Sequence, residues 1–471
     1  MILKQFYLGC LAHASYLIAD ESTGIAVVVD PQRDVDQYLA EAARRKLTIR
    51  HVVLTHFHAD FISGHLELRR RTGATIHLGA RAKTAYPSEK LADGDVLSLG
   101  RVTLRALETP GHTPEGICLL LLDAARKPRA VLTGDTLFIG DVGRPDLMAS
   151  VGVSARTLAS QLYDSLHKKL MTLPDDCQVY PAHGAGSLCG RNLSAETVST
   201  IGQQRRFNPS LKPMPRAAFV KLVTTDLPEA PAYFSKAARL NGQTRPTLEQ
   251  ALLRGLKPLS LAQVRRRVKD SAQILDTRDP AAFAAGHLKG SLNIGLGGKF
   301  ATFAGALLKM AQPIVLVTEA GRERESALRL GRIGFDNLLG YLDGGAPAAH
   351  AAGAPLASFA RLSPLELKAA LASPANSRPR VLDVRTPAER RQSAIPGSLH
   401  IPLSSLEARL KDVPRRPLVV TCAGGYRSAM AVSLLLAHGR KQVCDLDGGM
   451  TAWDESRPLQ RPKVAKACAA K

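Results

Sequence analysis

Long apolar runs are absent from this 471-residue chain. None approaches the roughly 20 consecutive apolar residues of a membrane span, which excludes a helical membrane protein and, with it, a membrane partner. Aromatic residues are scarce, at 5% with a single Trp, and the 63 Lys and Arg are scattered. The net charge of +22 thus lacks the clustered, stacking surface that nucleic acids select, and no nucleic-acid partner is expected. Attraction of small anionic substrates is compatible with the same charge. No CxxC pair occurs among the seven irregularly spaced cysteines, which argues against a disulfide framework and against a thiolate zinc module. Met1 to Gly9 has no signal-peptide pattern, so a cytoplasmic enzyme with reduced cysteines is expected.

The apolar fraction of 45% is ordinary for globular protein, and the length exceeds what one core serves, so about two to four domains are expected. Up to about Asn208, short apolar runs alternate with turns and helical stretches. Ala26 to Val29, His51 to Leu54, Val102 to Leu104, Ile117 to Leu121 and Ala130 to Leu132 read as strands, and Val35 to Lys46 as an amphipathic helix. Such a pattern predicts a layered α/β sandwich. Chemistry gathers in the loops that follow the strands. Thr55-His56-Phe57-His58-Ala59-Asp60-Phe61-Ile62-Ser63-Gly64-His65 puts three histidines and an aspartate within ten residues. Gly111-His112-Thr113, Gly134-Asp135-Thr136 and Ala182-His183-Gly184 follow in order, and imidazoles with carboxylates are a metal's ligand set.

HxHxD, GHT, GDT and AHG in this order resemble the metallo-β-lactamase fold, an αββα sandwich. Two-metal members of glyoxalase II type read HxHxDH; here Phe61 stands in the last position and cannot ligate. The resemblance then implies a mononuclear site held by His56, His112 and Asp135, with His58, Asp60 and His183 supporting it. Two His and one carboxylate leave open positions, as in non-haem Fe(II) oxygenases. The run Gly134 to Asp146 is similar to persulfide dioxygenases of this fold. It implies Arg144 beside a thiol-substrate pocket; Ala182 to Gly190 also resembles bacterial members and implies Cys189 as a possible sulfur relay.

Residues 209–257 are interrupted by prolines and read as the tail of the first domain plus a connector. An internal repeat follows. Leu261 to Gly345 and Ser363 to Trp453 share the segments Ile274-Leu275-Asp276-Thr277-Arg278 and Val381-Leu382-Asp383-Val384-Arg385, and later Asp343-Gly344-Gly345 and Asp447-Gly448-Gly449. These compact α/β units resemble rhodanese domains. In the second copy Cys422-Ala423-Gly424-Gly425-Tyr426-Arg427-Ser428 joins a strand to a helix, so Gly424 and Gly425 can turn backbone N–H groups inward as an anion nest. That nest, with Arg427, suits Cys422 to carry a persulfide. Aligned residue by residue, Glu319 takes the cysteine position in the first copy, which makes that copy silent. Ala346 to Ala357 reads as a linker, and Arg461 to Lys471, with Cys468, as a disordered basic tail.

The expected organisation is a metallo-β-lactamase-like domain with connector over 1–245, a silent rhodanese over 255–350 and an active rhodanese over 360–460. This order resembles bacterial multidomain persulfide dioxygenase–sulfurtransferases. The resemblance implies one Fe(II) per chain and oxidation of small thiol persulfides (of coenzyme A, glutathione or cysteine) with O2 to sulfite. It further implies sulfur transfer through Cys422 to sulfite, giving thiosulfate, and assembly as a homo-oligomer. The competing readings are a two-zinc thioester hydrolase with accessory sulfurtransferase modules and a sensor that reports persulfidation of Cys422.

Overall fold

The computed structural model describes residues 1–147, 152–227, 230–231 and 233–456; the basic tail therefore lies outside the described residues. The chain forms two compact units. Among the described residues, the first comprises those of 1–257, 298–311 and 324–338; the second comprises 258–297, 312–323 and 339–456.

In the first unit, two six-stranded sheets run in chain order, one from Ile2–Leu8 to Glu89–Leu91, the other from Val96–Ser98 to Ser199–Thr200. One core lies between them, with Tyr16, Ile18, Val27 and Val53 from the first sheet facing Leu104, Leu119, Leu121 and Leu132 from the second. The helix Asp36–Arg44 covers the outer face of the first sheet through Tyr38 and Ala42. The helices Ala155–Lys168 and Arg216–Thr224 cover the second through Leu162, Leu166 and Phe219. This is the expected αββα sandwich. Both faces of the strand Ile117–Leu122 are buried, which is why it reads as a continuous apolar run. Each such fully buried aliphatic contributes about 1.5–3 kcal/mol.

The second unit holds two five-stranded sheets of matching order. One runs Pro258–Leu259, Leu338–Leu342, Ile314–Val317, Gln273–Asp276, Leu292–Asn293; the other runs Arg361–Leu362, Val443–Leu446, Leu418–Thr421, Arg380–Asp383, Leu399–His400. Most pairings are parallel, the signature of strand–crossover–strand units. Ala346 to Ala357 is not a linker: it contains the helix Gly345–Ala351, with Ala346 and Ala349 buried, and Ala357 bridges to His287. Alanine is the strongest helix former, and the left-handed Gly344 (φ +64°) turns the chain into this helix. Among the described residues, no helix is long and apolar enough to cross a membrane.

Candidate metal centre and cysteine loop

The candidate metal centre lies where strands of both sheets end. Asp30 closes the strand Ile25–Val29 in a left-handed conformation (φ +50°), which turns its carboxylate toward the next loop. There the Thr55 N–H and hydroxyl donate to it at 2.8 and 2.7 Å. With its proton on Asp30, Thr55 Oγ1 accepts from His56 Nδ1, 3.0 Å away, and His56 Nε2 keeps its lone pair. His112 is oriented in the same way, its Nδ1–H donating to the Arg144 carbonyl at 2.8 Å. Asp135 Oδ1 accepts from His183 Nδ1 at 2.8 Å, while Asp135 Oδ2 is buried without a hydrogen-bond partner. That free oxygen lies 3.7 Å from His56 Nε2 and 3.4 Å from His112 Nε2. Three donors thus converge with their opposite sides already tied, the arrangement that orients ligands around one cation. The residues fit a metal ion.

Electrostatics agree. Burial holds the His56 imidazole well below its usual range, so it is neutral and able to serve as a ligand. Burial alone would raise Asp135, but His183 and His56 hold its carboxyl well below the usual range. His183 is pulled down by burial and up by Asp135 and Asp60, and the carboxylates win.

A second group, His58, Asp60 and His183, also converges. Its imidazoles stand beside carboxylates, His183 Nε2 3.0 Å from Asp60 Oδ2 and His58 Nε2 3.0 Å from Asp30 Oδ1, with neither nitrogen in a hydrogen bond. Phe61 is 1% exposed and packs between the rings of His13 and His58, 4.0 and 4.4 Å away. Arg144 is buried with its guanidinium bidentate on Asp146 and donating to the Leu188 carbonyl. Its own carbonyl accepts from His112 Nδ1. Cys189 is buried against Asp135 and His183, and burial, Asp60 and Asp135 all push its thiol well above the ordinary range.

Three residues of the site carry no motif. Asp30 shows only as a carboxylate at a strand end. His13 stands alone in a strand, both its ring nitrogens buried and without partners. Asn241, from the Pro-interrupted segment, donates to the carbonyls of His58 and Phe61 and accepts from the Ser63 N–H. A cavity of about 810 Å³ reaches His112 and Thr113. Phe57, Ala59 and Phe234 line it, with Lys83, Lys236 and Arg239 at its exposed edge.

In the second unit, Cys422 ends the strand Leu418–Thr421, and the helix Tyr426–Ala437 begins after left-handed Gly425 (φ +90°). The turn aims the Gly425 N–H at Cys422 Sγ, 3.1 Å away. Gly424 has open space where a Cβ would stand, so no contact requires glycine there. Arg427 is held bidentately by Glu389 at 2.8 and 2.6 Å.

The first copy needs a correction. Asp276 pairs with Val317 as Asp383 pairs with Thr421, so Thr318, not Glu319, stands at the cysteine position. The approach of Gly345 to the Thr318 carbonyl, matching Gly449 and the Cys422 carbonyl, fixes the same register. The conclusion that this copy carries no cysteine there is unchanged.

Comparison with known proteins agrees with this geometry. Residues 8–183 match the metallo-β-lactamase superfamily, and 260–352 and 363–456 each match the rhodanese-like domain. Mitochondrial persulfide dioxygenase ETHE1 of Bos taurus is 32% identical over 212 residues, 45% of this chain and 76% of that one. The cytoplasmic hydroxyacylglutathione hydrolase of Arabidopsis thaliana is 35% identical over 184 residues, 38% of this chain and 67% of that one. A solved metallo-β-lactamase from Staphylococcus aureus subsp. aureus COL superposes with a TM-score of 0.65 at 31% identity, covering 72% of this chain and 98% of that one. A fold with these relatives implies a bound metal. The chain belongs to the metallo-β-lactamase superfamily, with persulfide dioxygenases as homologues of its first domain and two rhodanese-like domains behind it.

Proposed function

We propose that this chain oxidises low-molecular-weight thiol persulfides with O2 at one non-haem iron per chain. The products are sulfite and the free thiol. Sulfane sulfur then passes through Cys422 to sulfite, giving thiosulfate. The observation that carries this reading is the convergence of lone pairs from His56, His112 and the unpartnered Asp135 Oδ2, beside a buried Phe61 where two-metal relatives would place a ligand. Bound iron would supply open positions for O2 and an anionic sulfur.

The protein's own residues do the rest. Thr55, the Arg144 carbonyl and His183 hold the three ligands in orientation. Phe57, Ala59 and Phe234 keep the cavity wall apolar, while Lys83, Lys236 and Arg239 draw anionic carriers toward its mouth. The overall reaction balances: RSSH, O2 and H2O give RSH and sulfurous acid, which ionises to sulfite.

A two-zinc thioester hydrolase is the second reading, favoured by the His58, Asp60 and His183 group and by the hydroxyacylglutathione hydrolase relative. Metal analysis, O2 uptake and product analysis on a panel of thiol persulfides separate the two. About one iron per chain with persulfide-dependent O2 uptake is expected. Two zinc ions with thioester turnover would overturn the proposal.

A further inference from the structure

In the second rhodanese-like repeat, Ser428 Oγ lies 3.6 Å from Cys422 Sγ and has two acceptors within reach of its hydroxyl, the Gly425 carbonyl at 3.0 Å and Asp445 Oδ2 at 3.3 Å. All three are buried, Cys422 1% exposed and the other two 0%. A carboxylate sealed from water beside a thiol is costly unless it has a use or a partner. Arg361 supplies part of the partnership: its Nε is 3.3 Å from Asp445 Oδ1, and its other arm reaches Asp447 at 2.7 Å.

We propose that Asp445, acting through Ser428, takes the proton of Cys422 when the thiol attacks a sulfane-sulfur donor and returns it when the thiolate departs. The inference rests on the sulfur-transfer reading above. In the first half-reaction the thiol proton moves to Ser428 Oγ as the serine proton moves to Asp445 Oδ2. The Cys422 thiolate attacks the outer sulfur of RSSH, a new S–S bond forms, the old one breaks, and RS⁻ leaves, taking the proton of the outer sulfur as RSH and leaving the Cys422 persulfide deprotonated. In the second, sulfite attacks the outer sulfur of the deprotonated Cys422 persulfide. Thiosulfate forms, the cysteine leaves as thiolate, and the proton comes back from Asp445 through Ser428. No oxidant or reductant is needed. Asp445 touches neither substrate and is a positioning residue.

The silent repeat is an internal control. Strand register pairs Pro258 with Tyr341 as it pairs Arg361 with Asp445. Counting on from Thr318, Arg324 falls at the place of Ser428. Cysteine, serine, aspartate and arginine are therefore all replaced in that copy, by Thr318, Arg324, Tyr341 and Pro258. The structural pairs are kept in both: Arg278 on Asp276 and Arg385 on Asp383, each also capping a carbonyl. The Asp–Arg pairs that hold the fold occur in both copies; the four residues around the thiol occur in one.

The other charges around the thiol are engaged. Arg427, on the helix after the loop, is locked to Glu389, and Asp383 feels Arg385 and Arg390. Burial raises the Asp445 carboxyl to about 6, against Arg361 and Ser428 and with Asp447, which suits it to accept and release a proton near neutrality.

The test is the rate of Cys422 alkylation by iodoacetamide in the full chain, from about pH 5 to about pH 9. The wild-type rate should step up near pH 6 and then level before the thiol itself titrates. Asp445→Asn and Ser428→Ala should each lose that step and react on the order of tenfold more slowly near neutral pH. An aspartate acting only through its charge predicts the opposite, because removing a negative neighbour eases thiolate formation. Asp445→Asn reacting as fast as wild type, or faster, therefore overturns the proposal. Ser428→Ala supplies the same readout if Asp445→Asn does not fold. Thiosulfate:cyanide transfer by the wild type is measured alongside. Absence of transfer with the pH step intact would strike the sulfur-transfer reading and leave the proton path standing.

Discussion

Glu67 shows how much a single residue of the first unit can carry. Its carboxylate is 4% exposed and accepts from Arg33 Nε at 3.1 Å, from Arg245 at 2.6 and 3.1 Å, and from the Leu248 N–H at 3.1 Å. Burial works against its charge, but Arg245 and Arg33 hold the carboxyl down to about 2. Burial also lowers the Arg245 guanidinium, which nonetheless stays charged at any working pH. A depressed carboxyl pKa gives stability that is whole above the unfolded value of about 4.3 and disappears as pH falls through the folded value. Glu67→Gln should thus cost about 3 kcal/mol in urea denaturation at neutral pH, and the difference from wild type should close as the solution nears pH 2. A gap that persists in acid would mean that packing, not charge, is what the variant lost. At the same scale, Phe61 was informative in the sequence because a motif surrounds it. His13, which packs on it, was not, because a lone strand histidine has no spacing to betray it.

The Pro-interrupted segment turns out to work as an element of the site. The helix Phe234–Asn241 delivers Asn241, whose amide satisfies His58 O, Phe61 O and Ser63 N at 2.8 to 2.9 Å. Asn241→Ala would strand these buried backbone groups, at about 1–3 kcal/mol each in the worst case. The expected outcome is a lower melting temperature and faster iron loss to a chelator, with Cys422 alkylation unchanged. Iron retention equal to wild type would show that the loop holds itself. Short helices between prolines were legible in the sequence; their docking was not, since nothing local says which loop a side-chain amide will meet. The cysteine-free repeat behaves similarly. Its proline-led strand carries one residue more before the glutamate than the cysteine-bearing strand does before its cysteine. Residue matching absorbs that difference, whereas pairing with the neighbouring strand does not, and the pairing puts Thr318 at the cysteine position.

For the whole molecule, the candidate metal centre in one unit and the thiol loop in the other predict separable chemistries. Cys422→Ser should keep persulfide-dependent O2 uptake while sulfite replaces thiosulfate among the products. His56→Ala should lose bound iron and O2 uptake yet keep thiosulfate:cyanide transfer. Oxygen-electrode traces with ion chromatography of the products check both; loss of O2 uptake in Cys422→Ser would contradict two independent sites.

Much of this was determined by the sequence alone. Ligand-type residues at strand ends, the repeat with a cysteine loop in one copy and the absence of membrane-length apolar runs are local patterns, and local patterns survive without coordinates. The tertiary structure decided what depends on approach between distant residues. It left Asp135 Oδ2 without a partner opposite His56 and His112, brought Asp30 and Asn241 onto the histidine loop, and set Asp445 behind Ser428. Each of these relations is a distance between segments far apart in the chain, set by sheet register and helix docking rather than by any spacing along it.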